Sequence, residues 1–464
     1  MNVDVAIIGG GVSGLATAWE LDAKGYSTVV LERQVRTGGH AFSENISGFM
    51  MEHGPSTINA FDPLAQNVST RLGILSDQAY LGDGVKQRYL VDNGMLKAIP
   101  IHPFGFMTAN YMSLPGRLRM MMEPFVPRGK SGTEETIQDY ITRRFGSEFC
   151  ERIIDPLVGG LYAGRASELS MPSVFPKMLA LEEKYGSVAK GMLSKFFKGG
   201  NMPSKRLFSW NGGIGTLSRA LEAHVKNVQT GVTVRSIRKT KTGYQVDCGD
   251  RGPIQAKSVV IATQPHVASG LLSTVDVEGA EAAHSISTPP LAVVFLGYKR
   301  EQVSHPLDGL GFLAAEMENI GLTGAQFSST MFPGRAPSGC VSITAYVGGA
   351  RHPELARLPE QDLLQLAQKR LGSLLGIQGE PLVARVRHWH LGLPQYQLGH
   401  STIVQTLEDT SQRNPGLFLT GNYFKGPSVA ACLGKAQNTS SSVAEFLKSS
   451  TDQQDYFSGK QACN

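Results

Sequence analysis

The stretch VAIIGGGVSGLATAWELDAKGYSTVVLE, residues 5–32, limits what this chain can fold into more than any other part of it. Asp4 to Ile8 reads as a short apolar strand. Val12 to Lys24 carries Leu15, Ala16, Ala18 and Trp19 at helical spacing, and Thr28 to Leu31 is a second, β-branched strand. Strand, glycine turn, helix and strand within about 30 residues form the context that a phosphate-cradling glycine pattern requires. Gly9 permits the tight turn, Gly11 lets backbone approach a pyrophosphate, and Gly14 lets the helix lie against the strand. The helix N-terminus, with Val12 and Ser13 in its first turn, offers free N–H groups and positive potential to phosphate. Glu32 ends the second strand, followed by Arg33. A carboxylate there accepts from ribose hydroxyls and repels a 2′-phosphate, so the unit predicts a dinucleotide site.

Three further segments favour FAD over NAD. RTGGHAFS puts Gly38, Gly39 and His40 directly after the acid, which suggests backbone pressed against a larger cofactor. VVIAT ends a strand at Ala262 and Thr263, and LFLTGN ends another at Gly421 and Asn422 before a late helix, read as roughly 434–448. That helix can aim its N-terminus at a reduced flavin, which carries negative charge. WNGGIGTLSRAL lacks the third glycine and reads as a turn into a helix. With no second dinucleotide fold there is no port for a nicotinamide, so the flavin is expected to be reduced by substrate and reoxidised by oxygen or a carrier.

At 464 residues, two or three domains are expected, and 41% hydrophobic with 18% charged residues is globular composition. Five dispersed cysteines with no CxxC pair read as reduced thiols in a cytosolic compartment. The net charge of +5 is mild and no basic run resembles a nucleic-acid patch, so no nucleic-acid partner is expected. A strand beginning at Val3 leaves no room for a secretory leader, and no stretch reaches the roughly 18 apolar residues of a spanning helix.

Beyond residue 100 the texture changes. Residues 101–205 are rich in Met, Phe, Pro and Lys, with helical segments TIQDYITRRFG and VFPKMLALEEKYGSVAKGMLSKFFKGG. From Phe208 strands return: GVTVRSIRKTKTGYQVDCG reads as a hairpin, SVVIAT as a buried strand, PLAVVFLGYK and CVSITAYVGG as further strands, and EQDLLQLAQKRLGSLLG as an amphipathic helix. The fold class expected is mixed α/β: a Rossmann-like FAD-binding domain (1–70, 206–285, 401–450), a mixed-sheet substrate domain (71–100, 286–400), a helical membrane-facing insertion (101–205) and a flexible tail (451–464).

The four nucleotide-type segments resemble those of the FAD-dependent amine oxidase superfamily. In that resemblance Gly9, Gly11, Gly14 and Glu32 hold the ADP half of FAD and Gly38 and Gly39 lie near the pyrophosphate and flavin; Val234, Ser428 and Val429 join the cofactor set. Many members carry Arg or Lys where this chain has His40, and many have Gly–Asp where it has Gly421–Asn422. A narrower resemblance, to the protoporphyrinogen oxidase family, rests on DPLVGGLYAGRASELSMPSVFPKMLALEEKYGS, FSWNGGIGTL, FSSTMFPGRAP, YVGGARHPEL, LPQYQLGH and GLFLTGN, which occur in family order over nearly the full length. It implies oxidation of protoporphyrinogen IX to protoporphyrin IX in three two-electron steps, with O2 as acceptor. Coproporphyrinogen III oxidation is the nearest rival; a related oxidase or desaturase, a non-redox flavin mutase and a non-catalytic FAD-binding scaffold stand behind it.

The resemblance also implies a pocket. Arg88 in KQRYLVDNG takes the place of an arginine that pairs a substrate propionate. Leu313 and Tyr346 match positions that sandwich the rings, and Leu157 and Gly160 match a wall of the same cavity. Gln326 stands where an apolar residue is common, putting a polar group against the macrocycle. No metal is expected: His388 and His390 share a strand face without a third ligand nearby, and Cys432 reads as a small buried thiol; His53, beside a Gly–Pro turn that resembles a family segment near the flavin, reads as structural with a site role as the alternative. GFMTANYMSL, RMMMEPFVPRGK and GMLSKFFKGG set Met and Phe beside Lys and Arg, so a peripheral protein on the cytoplasmic face of a membrane, or in the cytoplasm, is expected. A homodimer is compatible with this reading.

Overall fold

The computed structural model describes residues 1–99, 111–129, 132–197 and 207–461. Strand Asn2–Ile8 lies at the centre of a seven-stranded sheet, between Thr28–Glu32 and Ile254–Ile261, both parallel to it. Val228–Thr230 extends the sheet beyond Thr28–Glu32, and Leu417–Leu419 pairs in parallel with the C-terminal half of Ile254–Ile261. The expected hairpin, Ser236–Thr240 with Gly243–Asp247, pairs with the N-terminal half of the same strand. Val5, Ile7, Val30 and Val260 point into one core with Leu15, Leu217 and Leu433 from three helices. Ala6, Ile8, Val29 and Ile261 point into a second core with Leu272 and Leu407. Burial on both faces is why these strands read as unbroken apolar runs.

A second seven-stranded sheet is mixed. Its order is Val383–Trp389, Leu291–Lys299, Cys340–Gly348, Gly324–Gln326, Gly309–Leu313, Gln87–Asp92, Met95–Ile99. Helix Glu360–Leu375 covers one face through Leu363, Ala367, Leu371 and Leu375, spaced four apart, and ends at Gly376 in the left-handed conformation. The other face packs Phe295 and Val383 against Phe49 and Met51 of the hairpin Ser43–Ile46 with Phe49–Glu52.

The third region is helical. Ile137–Phe145 and a π-helical turn, Cys150–Ile154, lead into Asp155–Tyr162; Pro156, which has no N–H to donate, follows directly on the wide turn. The helical segment from Val174 holds two helices, Pro176–Tyr185 and Val188–Phe197, parted where Gly186 turns left-handed. Glu123 and Arg144, both fully buried, pair at the centre of this region. The Glu123 carboxylate also accepts from the Ser187 hydroxyl (2.5 Å) and the N–H groups of Val188 (3.0 Å) and Ala189 (3.1 Å), capping the second helix.

The last helix also departs from its expected bounds: it runs Val429–Gln461. Ser428 caps it, its hydroxyl accepting from Ala431 N–H at 3.1 Å, and Val429, Cys432 and Leu433 bury against helix Val12–Ala23. Packing therefore starts this helix before the spacing of its own sequence announces it.

Candidate active site

Three strand ends converge at the C-terminal edge of the first sheet, where open α/β sheets bind ligands. Gly9 N–H donates to the Leu31 carbonyl (2.9 Å), Ala262 N–H to Ile8 (2.8 Å) and Thr420 N–H to Ile261 (3.0 Å). Gly9 has φ +109°, and a Cβ there would lie 2.7 Å from the Ala262 carbonyl oxygen. At Gly14 a Cβ would lie 1.9 Å from the Gly9 oxygen, so helix and strand touch backbone to backbone. Gly11 is the N-cap of helix Val12–Ala23, makes no side-chain cap bond and faces open space.

Glu32 grips the glycine loop. Its Oε2 accepts from Gly10 N–H at 2.7 Å and its Oε1 from Gln34 N–H at 2.8 Å, which leaves each oxygen a lone pair for a further donor. Gly10 is a participant the motif reading missed; the signal was the run of three glycines, Gly9 to Gly11. Val232 N–H donates to the Glu32 carbonyl at 2.9 Å, bringing half-buried Val234 to the flank of the site, while Arg33 is exposed. Gly38 N–H donates to the Gly10 carbonyl at 2.8 Å. The tightness at Gly38 comes from protein: a Cβ would lie 2.9 Å from the Ala41 oxygen and 3.0 Å from Ser218.

His40 follows the adjacent Gly39. Its Nε2 lies 2.9 Å from Gln264 Nε2, and its ring meets Trp389 edge-on at 4.3 Å. Burial first, then the charges of Arg387 and Arg36, hold its pKa down at about 4, so the imidazole is neutral at pH 7. The cations of this rim are Arg36, over Phe42 and donating to the Gly39 carbonyl, and Arg387, over Trp389. On the far side Thr263 follows Ala262, and Gly421 and Asn422 lead from the third strand to Ser428 and Val429 at the start of the last helix. The Cys432 thiol sits against Ser13, and burial pushes its pKa up to about 11.

Pairing across the second sheet sets Leu313, Gly324, Tyr346 and Val293 in one lateral row and Gly311, Gln326 and Thr344 in the next. Alternation puts both rows on the face away from helix Glu360–Leu375, where Phe312, Ala325 and Ala345 are buried. Leu313, Gln326 and Tyr346, distant in sequence, thus share one surface, with no side chain at Gly324 between Leu313 and Tyr346. Gly160 closes on that surface: a Cβ there would meet Leu313 Cδ2 at 2.3 Å, and half-buried Leu157 sits one turn earlier on its helix. Leu90 pairs laterally with Leu313, so exposed Arg88, two residues earlier, stands at the rim of the same face. Ser56 donates to Gln326 Oε1 at 2.9 Å. Burial holds the Tyr346 phenol well above its ordinary pKa, so it stays protonated.

The sequence profile of the flavin containing amine oxidoreductases matches residues 12–443. The chain belongs to that family. Over 96% of its length it is 30% identical to protoporphyrinogen oxidase 1, chloroplastic, of Arabidopsis thaliana, covering 89% of that protein. It is 26% identical to coproporphyrinogen III oxidase of Bacillus subtilis (strain 168), covering 96% of this chain and 98% of the relative. The crystal structure of a candidate protoporphyrinogen oxidase from Exiguobacterium sp. 255-15 superposes with a TM-score of 0.84 at 22% identity, covering 96% of this chain and 99% of that one, and shows the same fold.

Membership makes the protein an FAD-dependent oxidoreductase, and its strand-end hollow fits that cofactor. The Gly11 backbone is open, and the first turns of helices Val12–Ala23 and Val429–Gln461 lie side by side, joined at Ser13 and Cys432. Thr420 Oγ1 and Gln264 Oε1 are buried there without a hydrogen-bond partner among the described residues. Such groups suit a ligand that brings phosphates, hydroxyls and a polar ring.

Two buried ion pairs that sequence reasoning missed brace the site of this flavoenzyme. Arg335 meets Glu52 at 2.9 Å, and the same carboxylate accepts from the Ser43 hydroxyl (2.5 Å) and Ile214 N–H (3.0 Å). Burial pushes the Glu52 pKa up and that of Arg335 down. Arg351 meets Asp155 at 2.9 Å and donates to the Ala314 carbonyl at 2.9 Å, with its guanidinium where a Gly159 side chain would be. It locks the Leu157–Gly160 helix onto the strand carrying Leu313. His53 bonds Glu44 at 3.0 Å while its carbonyl accepts from Trp389, a structural pattern. His388 and His390 stack with ring centres 6.3 Å apart, and no cluster of three or more metal-ligating side chains occurs among the described residues.

Proposed function

We propose that this enzyme oxidises protoporphyrinogen IX to protoporphyrin IX, with O2 as terminal acceptor. The observation that carries the reading is the surface of Leu313, Gly324 and Tyr346, walled by Leu157 and Gly160, with Arg88 at its rim. A flat face with Leu313 and Tyr346 on it and a cation at its rim matches a reduced tetrapyrrole with propionate side chains. Names borne by the relatives from Arabidopsis and Bacillus point to the same substrate class. FAD, when bound, accepts a hydride equivalent from the substrate in each of three two-electron steps.

The chain's own residues bind, orient and exclude water. Tyr346 and Leu313 contact the ring faces, Arg88 pairs a propionate, and Gln326, held by Ser56, sets a polar group against one edge of the macrocycle. We assign no catalytic base: Tyr346 stays protonated, Glu52 is committed to Arg335, Ser43 and Ile214, and pyrrole N–H protons are lost readily as the ring becomes aromatic. Coproporphyrinogen III is the second reading; its two extra propionates call for more cations than Arg88 supplies. The test is anaerobic mixing with each porphyrinogen while flavin bleaching and porphyrin absorbance are followed. Rapid bleaching by protoporphyrinogen is expected. Faster turnover of coproporphyrinogen would reverse the order of the two readings, and no bleaching by either would defeat both.

The reading extends to the three domains given above, with residues 451–461 continuing the last helix in place of a flexible tail, and to contact with an anionic membrane surface. Leu114, Leu118, Met121, Met122 and Phe125 are exposed beside Arg117 and Arg128, and Met192 and Leu193 beside Lys190. Gly105 to Asn110, Lys130 and Lys198 to Gly200, parts of the segments that suggested this contact, lie outside the described residues. No helix among the described residues is long and apolar enough to cross a membrane. Cosedimentation with anionic vesicles but not neutral ones is the expected result, on the cytoplasmic face. Sedimentation velocity reads whether the homodimer forms.

A further inference from the structure

One sequence motif has no role in the chemistry above: LPQYQLGH, residues 393–400. We propose that Tyr396 and His400 are positioning residues for the flavin, holding the Gly421–Gly426 loop in the arc against which the cofactor rests. The proposal relies on FAD occupying the strand-end hollow.

That loop joins the end of strand Leu417–Leu419 to the start of helix Val429–Gln461, two of the features that build the hollow. A loop there has few intrinsic constraints, since it contains two glycines and no regular structure. Something outside it must set its shape. The Tyr396 hydroxyl donates to the Asn422 carbonyl, and the Gly426 N–H faces the Tyr396 hydroxyl oxygen, so one side chain staples both ends of the arc. His400 Nε2 lies 2.8 Å from the Tyr423 carbonyl between them, as its donor. The two rings meet edge-on at 4.5 Å, and both residues are buried. Because a trans peptide points its C=O and N–H in opposite directions, anchoring the Asn422 and Tyr423 carbonyls also fixes where the Tyr423 and Phe424 N–H groups point, away from the strap.

The strap is itself held from behind. Gln395 Nε2 donates to the Tyr162 carbonyl (2.9 Å), Ser170 N–H to the Tyr396 carbonyl (2.7 Å) and Gly399 N–H to a Glu134 carboxylate oxygen (2.8 Å). All three partners belong to the helical region. Tyr396 and His400 therefore reach the cofactor loop from a base that the loop cannot drag along.

The experiment compares Tyr396→Phe, His400→Leu and His400→Gln in the full-length protein, reading the FAD dissociation constant, the visible flavin spectrum, the flavin midpoint potential and the melting temperature. Loss of one such hydrogen bond at a preorganised site should weaken FAD binding about tenfold and shift the spectrum and potential in Y396F and H400L. H400Q, which keeps a donor, should recover most of the loss. Unchanged affinity, spectrum and potential with only a lower melting temperature would overturn the proposal. If Y396F does not fold, the contrast between H400L and H400Q decides alone. Wild-type protein that takes up no FAD would instead defeat the reading on which the proposal relies.

Discussion

The glycine loop and the substrate face solve opposite problems. The loop is built from neighbours in sequence: Gly9, Gly10, Gly14 and Glu32 meet within one strand–helix–strand unit, and a single added methyl group collides with backbone. The proposed substrate face comprises Arg88, Leu157, Gly160, Leu313, Gln326 and Tyr346, which no local unit joins; lateral strand pairing and the Asp155–Arg351 bond assemble it. The loop should therefore fail sharply and locally, and the face gradually and through changes made far away.

Substitution at Gly14 gives the strongest contrast. Gly14→Ala should yield little folded, flavin-loaded protein, because its Cβ falls within covalent-like distance of the Gly9 oxygen; Gly11→Ala should keep a near-normal melting temperature and lose FAD affinity instead. Thermal melting and FAD titration separate the two, and equal melting losses would show that the loop tolerates no side chain anywhere. Next in size, Glu123→Ala strands the buried Arg144 and should cost about 3–5 kcal/mol of stability. The wall containing Leu157 and Gly160 should loosen, raising substrate KM, while FAD stays bound; loss of FAD in parallel would deny the two regions their independence.

Acid should act through the cofactor rim. The folded pKa of His40, about 4, lies below its ordinary 6.5. Between these values the unfolded chain binds a proton that the folded chain does not, so stability rises with pH across this window and falls on acidification. For the apoprotein the contribution is about 3 kcal/mol. His40→Asn should flatten the dependence of unfolding free energy on pH between 4 and 6.5, and an unaltered slope would assign the acid sensitivity to another group. Arg88→Ala should raise KM about tenfold with FAD retained, the loss of a charge-assisted pair worth about 1.5–3 kcal/mol when partly buried; an unchanged KM removes Arg88 from the propionate role. Smallest, Gln326→Leu should alter the ratio of kcat/KM for the two porphyrinogens by a few fold, about 1 kcal/mol, with flavin properties untouched.

Much of this was visible in the chain. The first strand, helix and second strand fall within a residue or two of where their spacing puts them, as does the helix Glu360–Leu375, while the hairpin read over 231–249 pairs from Ser236 to Asp247. Each announces itself by periodicity over a few turns. Glu52–Arg335, Asp155–Arg351, the rim cations Arg36 and Arg387 and the Tyr396–His400 strap gave no such signal. A charged or phenolic residue looks the same in sequence whether water or a buried partner receives it.

By itself, then, the sequence determined the nucleotide unit, because sterics at glycine and the reach of a helix N-terminus act over a few residues and leave a pattern that can be read. Only the tertiary structure decided which distant side chains share the proposed substrate face, where the last helix starts and what anchors the Gly421–Gly426 loop. Those outcomes depend on strand register and on the burial of paired polar groups, quantities that exist only once segments separated by hundreds of residues have met.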